Sequence, residues 1–145
     1  MQTFLPYPDF KKTAECLDMR RLGKQRVENL QIMNVLCGDS DGWANHPAVK
    51  MWYGSEHLLM DYQFAICNEW TTRGYKDTCL SKTLAVCSQI RDGFLKPWWL
   101  GDDRLHSSHR SNLLRKDYEY YSRFGWIEPN NIEYFWPSKE ELNAI

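Results

Sequence analysis

Residues 17–32 read LDMRRLGKQRVENLQI and form the centre of the longest helical pattern in the chain. Four apolar residues of this region recur at multiples of about 3.6, the period of one face of an α-helix: Leu22, Leu30, Met33 and Cys37. Gly38 follows directly, and glycine commonly ends helices. The pattern therefore predicts a helix that runs roughly from Lys12 to Cys37.

Further helical patterns lie on the C-terminal side of this helix. A second helix is predicted to begin at Pro47 and to close at Gly74, with an apolar stripe of Trp52, Leu59, Tyr62, Ile66 and Trp70. A third is predicted to start at the N-cap Thr78, to carry Leu80, Leu84, Cys87 and Ile90, and to end by Gly93. A fourth is predicted from Asp102 or Asp103 to Gly125, with Leu113, Leu114 and Tyr121 on its apolar side. Strand-like alternation is weak throughout, so the sequence predicts an all-α helical bundle.

Two aromatic segments fall outside these helices. PWWLGDD, at residues 97–103, predicts an ordered loop, because two adjacent tryptophans are too apolar to stay in water. IEYFWP, at residues 132–137, predicts an irregular strap, and a capping box from Ser138 to Glu141 predicts a small helix after it.

The composition is that of a single globular domain. The chain has 145 residues, 43% of them hydrophobic and 26% charged, without repeats or low-complexity segments. We therefore expect one compact domain over residues 1–145, most simply a monomer. Apolar stretches are too short to cross a bilayer, and five cysteines without a C-x-x-C pair indicate small buried groups in a reducing compartment. These features predict a soluble, cytoplasmic protein.

The formal net charge of −1 hides strong local differences. Residues 11–26 contain six basic and two acidic side chains, and residues 104–116 contain four basic and no acidic ones. Residues 117–145 reverse the balance with six acidic and two basic side chains. Each basic segment fits either a solvated helix face with ordinary ion pairs or a groove that binds phosphates, in which nearby aromatics would stack on bases.

One carboxylate on the first helix is surrounded by cations. Arg21, Lys24, Glu28 and Gln31 share a helix face because they are spaced by three or four residues. Lys24 and Glu28 form the kind of pair that is common on helices and adds little stability. The same arrangement also suits a carboxylate that assists a reaction on a phosphate-bound sugar. Spacing alone does not decide between the two.

A histidine-rich block opens the fourth helix. His106 and His109 stand beside Ser107, Ser108 and Arg110 in HSSHRSNLLRK. With Asp102 or Asp103 they lack the firm four-ligand spacing of a closed zinc site, so neither a metal nor another cofactor is expected. A helix N-terminus that holds a phosphate and a capped surface helix both remain open. His46, before Pro47, is either a helix cap or a residue of the binding groove.

Four segments together carry a likeness to a known family. They are LDMRRLGKQRVENLQI, HPAVKMW, EWTTRGYKDTC and SSHRSNLLRKDYEYY, in this order along most of the chain. The chain resembles the pyrimidine dimer DNA glycosylase family, also called the endonuclease V type of ultraviolet-damage repair enzyme. The likeness is close to uncharacterised bacterial and phage relatives and distant to the proven repair enzymes.

The resemblance implies an all-α domain that binds double-stranded DNA and cleaves the N-glycosidic bond of a damaged pyrimidine. In this family the amine of the N-terminal residue is the nucleophile, a glutamate of the first long helix assists, and a lyase step nicks the strand. Glu28 matches that glutamate, and Arg21 stands where the proven enzymes have a histidine. Val27 replaces a family arginine, for which Arg26 is a substitute one position earlier.

The start of the chain departs from the family pattern. The proven enzymes expose a small residue after removal of the initiator methionine, whereas Gln2 normally blocks this removal. The free amine then belongs to Met1, and an α-amino group keeps a useful neutral fraction near neutral pH. The catalytic candidates are therefore Met1 and Glu28.

The predicted DNA contacts come from both basic segments and from the histidines: Arg21, Lys24, Arg26, His46, His109, Arg110, Arg115 and Lys116. The leading hypothesis is a DNA glycosylase, with or without lyase activity, for a damaged or modified pyrimidine. A non-catalytic DNA-binding module on the same scaffold is the first alternative, favoured by Gln2. A different enzyme acting on a modified nucleotide in the same pocket is the second.

Overall fold

The computed structural model describes residues 1–38, 40, 42–87 and 96–137. Within these residues the chain forms seven α-helices and one 3-10 helix, and no strand. The α-helices are α1 (Phe10–Cys16), α2 (Met19–Cys37), α3 (Pro47–Lys50), α4 (Glu56–Thr72), α5 (Cys79–Val86), α6 (Asp103–Lys116) and α7 (Tyr118–Tyr121). The 3-10 helix covers Ser122–Phe124. The prediction of an all-α helical fold is confirmed.

The first predicted helix is two helices, divided at Leu17 and Asp18. Asp18 has extended backbone angles (φ −64°, ψ 160°), and its carboxylate accepts a hydrogen bond from the backbone N–H of Arg21. It is thus the N-cap of α2, which the apolar periodicity did not reveal. Tyr121 donates to the same carboxylate, so the junction is tied to α7. Although burial raises the pKa of Asp18, the hydrogen bonds from Tyr121 and Arg21 outweigh it and lower that pKa.

The second predicted helix is also interrupted. It begins at Pro47 as expected, but α3 ends at Lys50, and a turn through Gly54 (φ +80°) precedes α4. The predicted stop after α4 is confirmed, since Gly74 adopts the left-handed conformation (φ +98°) that suits glycine. The apolar stripe is therefore split between a short turn and a long helix.

The third and fourth predicted helices are shorter than expected. Asp77 accepts hydrogen bonds from the backbone N–H groups of Cys79 and Leu80 at the start of α5, whereas the Thr78 side chain makes no capping bond. Ile90, Gly93 and the predicted capping box at Ser138 lie outside the described residues. α6 starts after its N-cap Asp102 as predicted but ends at Lys116, and Asp117 then caps the start of α7. Residues 132–137 form no regular structure, as expected.

The core lies where α2 packs against α4 and α5, and α1 packs against α4. The approach of α2 to α4 is close, because a Cβ atom added to Gly23 would lie 2.9 Å from Cη2 of Trp70. The predicted ordered loop is confirmed: Trp99 is fully buried, and its Nε1 donates to the carbonyl of Met51 at 2.9 Å. Four of the five cysteines are buried as predicted, and Cys37 is exposed. No helix among the described residues has the length and apolar character to span a bilayer.

Candidate active site

A cavity of about 470 Å³ opens beside the start of the chain. Met1, Gln2 and Phe4 line one side, and Arg20, Arg21, Lys24, Gln25 and Glu28 of α2 line another. The wall is completed by Asp18 before α2, by Lys116 and Asp117 at the end of α6, and by Tyr134 of the aromatic strap. The structure thus brings Met1 and Glu28, which lie far apart in the sequence, to one cavity.

Glu28 is buried and lines the cavity. One carboxylate oxygen, Oε2, accepts a hydrogen bond from the backbone N–H of Gln2 at 3.1 Å. The other, Oε1, lies 3.6 Å from Nζ of Lys24, whose side chain is 76% exposed. The carboxylate is therefore fixed against the second residue of the chain, while its cationic partner can move into solvent.

Basic residues from the two positive segments meet at the cavity. Partial burial lowers the pKa of Lys116, and the positive charges of Arg21, Arg115 and Lys24 lower it further. Arg21 also pairs with Asp18 at 3.1 Å, which holds its guanidinium at the rim. The cavity is consequently lined by four basic side chains and three carboxylates, and Arg21 and Lys24 are paired with Asp18 and Glu28.

Two of the predicted DNA contacts are engaged elsewhere. Arg26 pairs with Asp77 at 2.6 Å, and its guanidinium lies 4.3 Å from the centre of the Trp70 ring. Arg110 donates to the carbonyl of Pro6 and to Glu128, both at 2.8 Å. Neither lines the cavity, and the Arg26 side chain is paired with Asp77 rather than with Glu28.

The two histidines of α6 point into the protein rather than towards a ligand. His109 is fully buried, and its Nδ1 accepts a hydrogen bond from the backbone N–H of Leu5 at 2.8 Å. Burial lowers the pKa of His109 to about 3. His106 accepts from Gly101 N–H through Nε2, so its Nδ1 carries the proton and donates to the carbonyl of Leu5 at 2.7 Å.

These contacts correct the sequence-based picture of α6. The position of His109 gives no support to a DNA contact, because its ring is enclosed and holds the N-terminal segment. Among the described residues there is no group of three side chains able to hold a metal ion.

His46 lies at the edge of the site and caps α3. Its Nδ1 accepts a hydrogen bond from the backbone N–H of Ala48 at 3.0 Å, which confirms the cap interpretation. Burial, followed by the positive N-terminus, lowers the pKa of His46, while the charge of Glu28 opposes the shift. Its ring lies between those of Trp43 and Trp136, with centroids 5.9 and 6.0 Å away. Trp136 in turn contacts Tyr134, which lines the cavity, so part of the aromatic strap borders the site.

A row of buried amides that was not predicted from the sequence lies next to Glu28. Gln25 and Asn29 occupy the inner face of α2, and Gln63 faces them from α4. They interrupt apolar stripes at helical spacing, since Leu22 precedes Gln25 by three residues and Ile32 follows Asn29 by three. Gln25 and Asn29 thus occupy positions of an apolar stripe, and this placement could have identified them as buried polar residues from the sequence alone.

A known protein family matches more than half of the chain. A family model described as pyrimidine dimer DNA glycosylase matches residues 1–83, which include the N-terminal segment, Glu28 and most of α5. The histidine-rich block of α6 lies beyond the matched range. No curated protein and no solved structure matches the chain. Because the family match covers more than half of the 145 residues, this chain belongs to the pyrimidine dimer DNA glycosylase family.

Proposed function

We propose that this protein releases a damaged or modified pyrimidine from double-stranded DNA, with Glu28 and the α-amino group of Met1 as its catalytic groups. The observation that carries the proposal is the hydrogen bond from Gln2 N–H to Glu28 at 3.1 Å, which holds the chain start and the carboxylate at one basic cavity. DNA as the substrate class follows from the family.

The groups at the cavity suit cleavage of a glycosidic bond. The amine attacks C1′ of the deoxyribose, and the electron pair of the C1′–N bond leaves with the base, which takes up a proton. Positive charge develops on the sugar during this step, and the carboxylate of Glu28 stabilises it. After the amine loses a proton and the sugar ring opens, the resulting imine permits elimination of the 3′ phosphate, which is the lyase step.

The proposal extends to the chain as a whole. We infer one domain over residues 1–145, acting as a monomer in the cytoplasm without a cofactor. Residues beyond the family match support a single domain, because His106, His109 and Arg110 of α6 bind the backbone of Leu5 and Pro6. α6 thus completes the surroundings of the N-terminal segment.

Base release and trapping on ultraviolet-irradiated duplex DNA test the catalytic proposal. We expect release of the damaged base, and with borohydride a stable protein–DNA adduct that peptide mass spectrometry locates on the first residue. Intact mass identifies that residue: if Met1 is removed, the nitrogen of Gln2 is itself the amine, 3.1 Å from Glu28. DNA binding without base release, on dimers and on a panel of modified pyrimidines, would instead indicate the non-catalytic binding module.

Phosphate binding by the cavity cations predicts a specific salt dependence. Lys24→Ala and Lys116→Ala should each reduce the slope of log affinity against log salt by about 0.9, the value for one lost phosphate contact on duplex DNA. Lys82→Ala, an exposed lysine of α5 outside the cavity, is the control and should leave the slope unchanged. Equal slopes for all three variants and the original protein would place the DNA on another surface.

A further inference from the structure

The backbone N–H and carbonyl groups of the first residues are hydrogen-bonded to side chains of the helices, where a β-strand would bond to a neighbouring strand. Thr3 and Leu5 are fully buried, and the segment passes between α2, α4 and α6. Tyr62 of α4 donates to the carbonyl of Phe4, and the histidines of α6 bind both backbone groups of Leu5. The backbone of this segment is therefore fixed by the rest of the protein.

Gln25 makes the contacts that resemble strand pairing most closely. Its Nε2 donates to the carbonyl of Gln2 at 2.8 Å, and its Oε1 accepts from the N–H of Phe4 at 3.0 Å. One residue of a parallel strand would bond the same two groups. Glu28, one turn further along α2, accepts from Gln2 N–H, so both backbone groups of residue 2 are bound by side chains of one helix.

The amide of Gln25 is itself held in one orientation. Its Nε2 also donates to Oδ1 of Asn29 at 2.9 Å, and Nδ2 of Asn29 donates to Oε1 of Gln63 at 3.0 Å. Gln63 donates in turn to the hydroxyl of Thr83, whose own proton goes to the carbonyl of Cys79 at 2.6 Å. This chain of donors and acceptors leaves each amide only one consistent orientation, and it connects residue 2 to α5.

We propose that Gln25 is a positioning residue for the reaction, acting through the backbone of residue 2. With Gln2 N–H and carbonyl both bound, only rotations within residue 1 remain to aim the amine at the cavity. Restricting a nucleophile in this way raises its effective concentration at the reacting atom. The proposal rests on the proposed function, because it assigns a role in delivering the N-terminal amine.

Gln25→Met tests the proposal, because methionine fills a similar volume and makes neither bond. We expect the single-turnover rate of base release to fall by about 10- to 100-fold, with DNA affinity changed by less than about two-fold. Arg73→Met is the matched control: Arg73 also binds backbone carbonyls, those of Ala14, Glu15 and Leu17, but lies outside the cavity. Its rate should stay within about three-fold of the original when both variants are assayed equally far below their melting temperatures. A normal rate for Gln25→Met, or equal losses in both variants, would overturn the proposal.

A second variant and a direct measurement cover the case in which Gln25→Met does not fold. Gln25→Glu keeps the acceptor for Phe4 N–H but loses the donor to Gln2. It should show the same loss of single-turnover rate at saturating protein, while its added negative charge weakens DNA binding. In the unmodified protein the amide of Phe4 should be protected from hydrogen exchange. Exchange as fast as in an unfolded chain would contradict the hydrogen bond from Phe4 N–H to Gln25. Absence of base release by the unmodified protein would count against the proposed function, whereas full activity of the Gln25 variants would count only against positioning.

Discussion

Replacing Glu28 by glutamine is expected to slow base release by about 10²- to 10⁴-fold, the range for losing one acid–base or charge-stabilising group. The amide keeps an oxygen that can accept from Gln2 N–H, so the N-terminal segment should stay in place. Loss of the pair with the exposed Lys24 should change the free energy of unfolding little. Single-turnover base release from irradiated duplex DNA measures the rate, and gel shift measures binding.

Two control variants distinguish loss of the Glu28 carboxylate from loss of its ion pair and from loss of a negative charge elsewhere. Lys24→Gln removes the ion pair but keeps the carboxylate, and Glu15→Gln makes the same chemical change on an exposed residue of α1. DNA should bind Glu28→Gln at least as tightly as the original protein, since a negative charge near the phosphates has been removed. Base release by Glu28→Gln within about three-fold of the original rate would remove Glu28 from the mechanism.

Acid should destabilise the protein well before its carboxylates titrate, because of His109. The folded protein keeps this buried imidazole neutral, with its pKa lowered to about 3, whereas in the unfolded chain a histidine binds a proton near pH 6.5. Between these values the unfolded state binds one more proton than the folded state, so stability falls as the pH falls. The expected slope is about 1.4 kcal/mol per pH unit from this residue. His106, whose pKa burial also lowers, adds to the loss in the same direction.

His109→Asn isolates this effect. The asparagine Oδ1 can accept from Leu5 N–H in place of the imidazole Nδ1, but it does not titrate. Urea unfolding between pH 7.5 and pH 4.5 should give a pH slope lower by about 1.4 kcal/mol per unit in the variant than in the original protein. Above pH 7 the difference between the two proteins should be constant, and identical slopes across the acid range would show that another group causes the loss.

Helical periodicity predicted the class of the fold well but not its interruptions. Apolar spacing continued from Lys12 to Cys37, yet the carboxylate of Asp18 caps a new helix and binds Tyr121, more than 100 residues away. A local pattern does not contain such a partner. The same holds for the turn at Gly54, which separates α3 from α4 inside one apolar stripe.

Only part of the candidate site could be predicted from the sequence. Spacing placed Arg21, Lys24 and Glu28 on one face of α2, and all three line the cavity. Arg26 and His109 were predicted at the DNA because they are polar and lie in basic segments, but their partners Asp77 and Leu5 N–H come from distant parts of the chain. Polar side chains inside a core look like surface residues until the groups that satisfy them are known.

The docking of the N-terminal segment also sets an order of events during synthesis. Leu5 is synthesised well before its partner His109, which lies 104 residues further along the chain. Until α6 has been made, the backbone of Leu5 lacks both of its histidine partners, although the partners of Gln2 and Phe4 on α2 and α4 are already present. The enclosure of the N-terminal segment is therefore completed only after α6 has been made, and a product shortened before α6 would lack the contacts to Leu5 and the part of the cavity wall at Lys116.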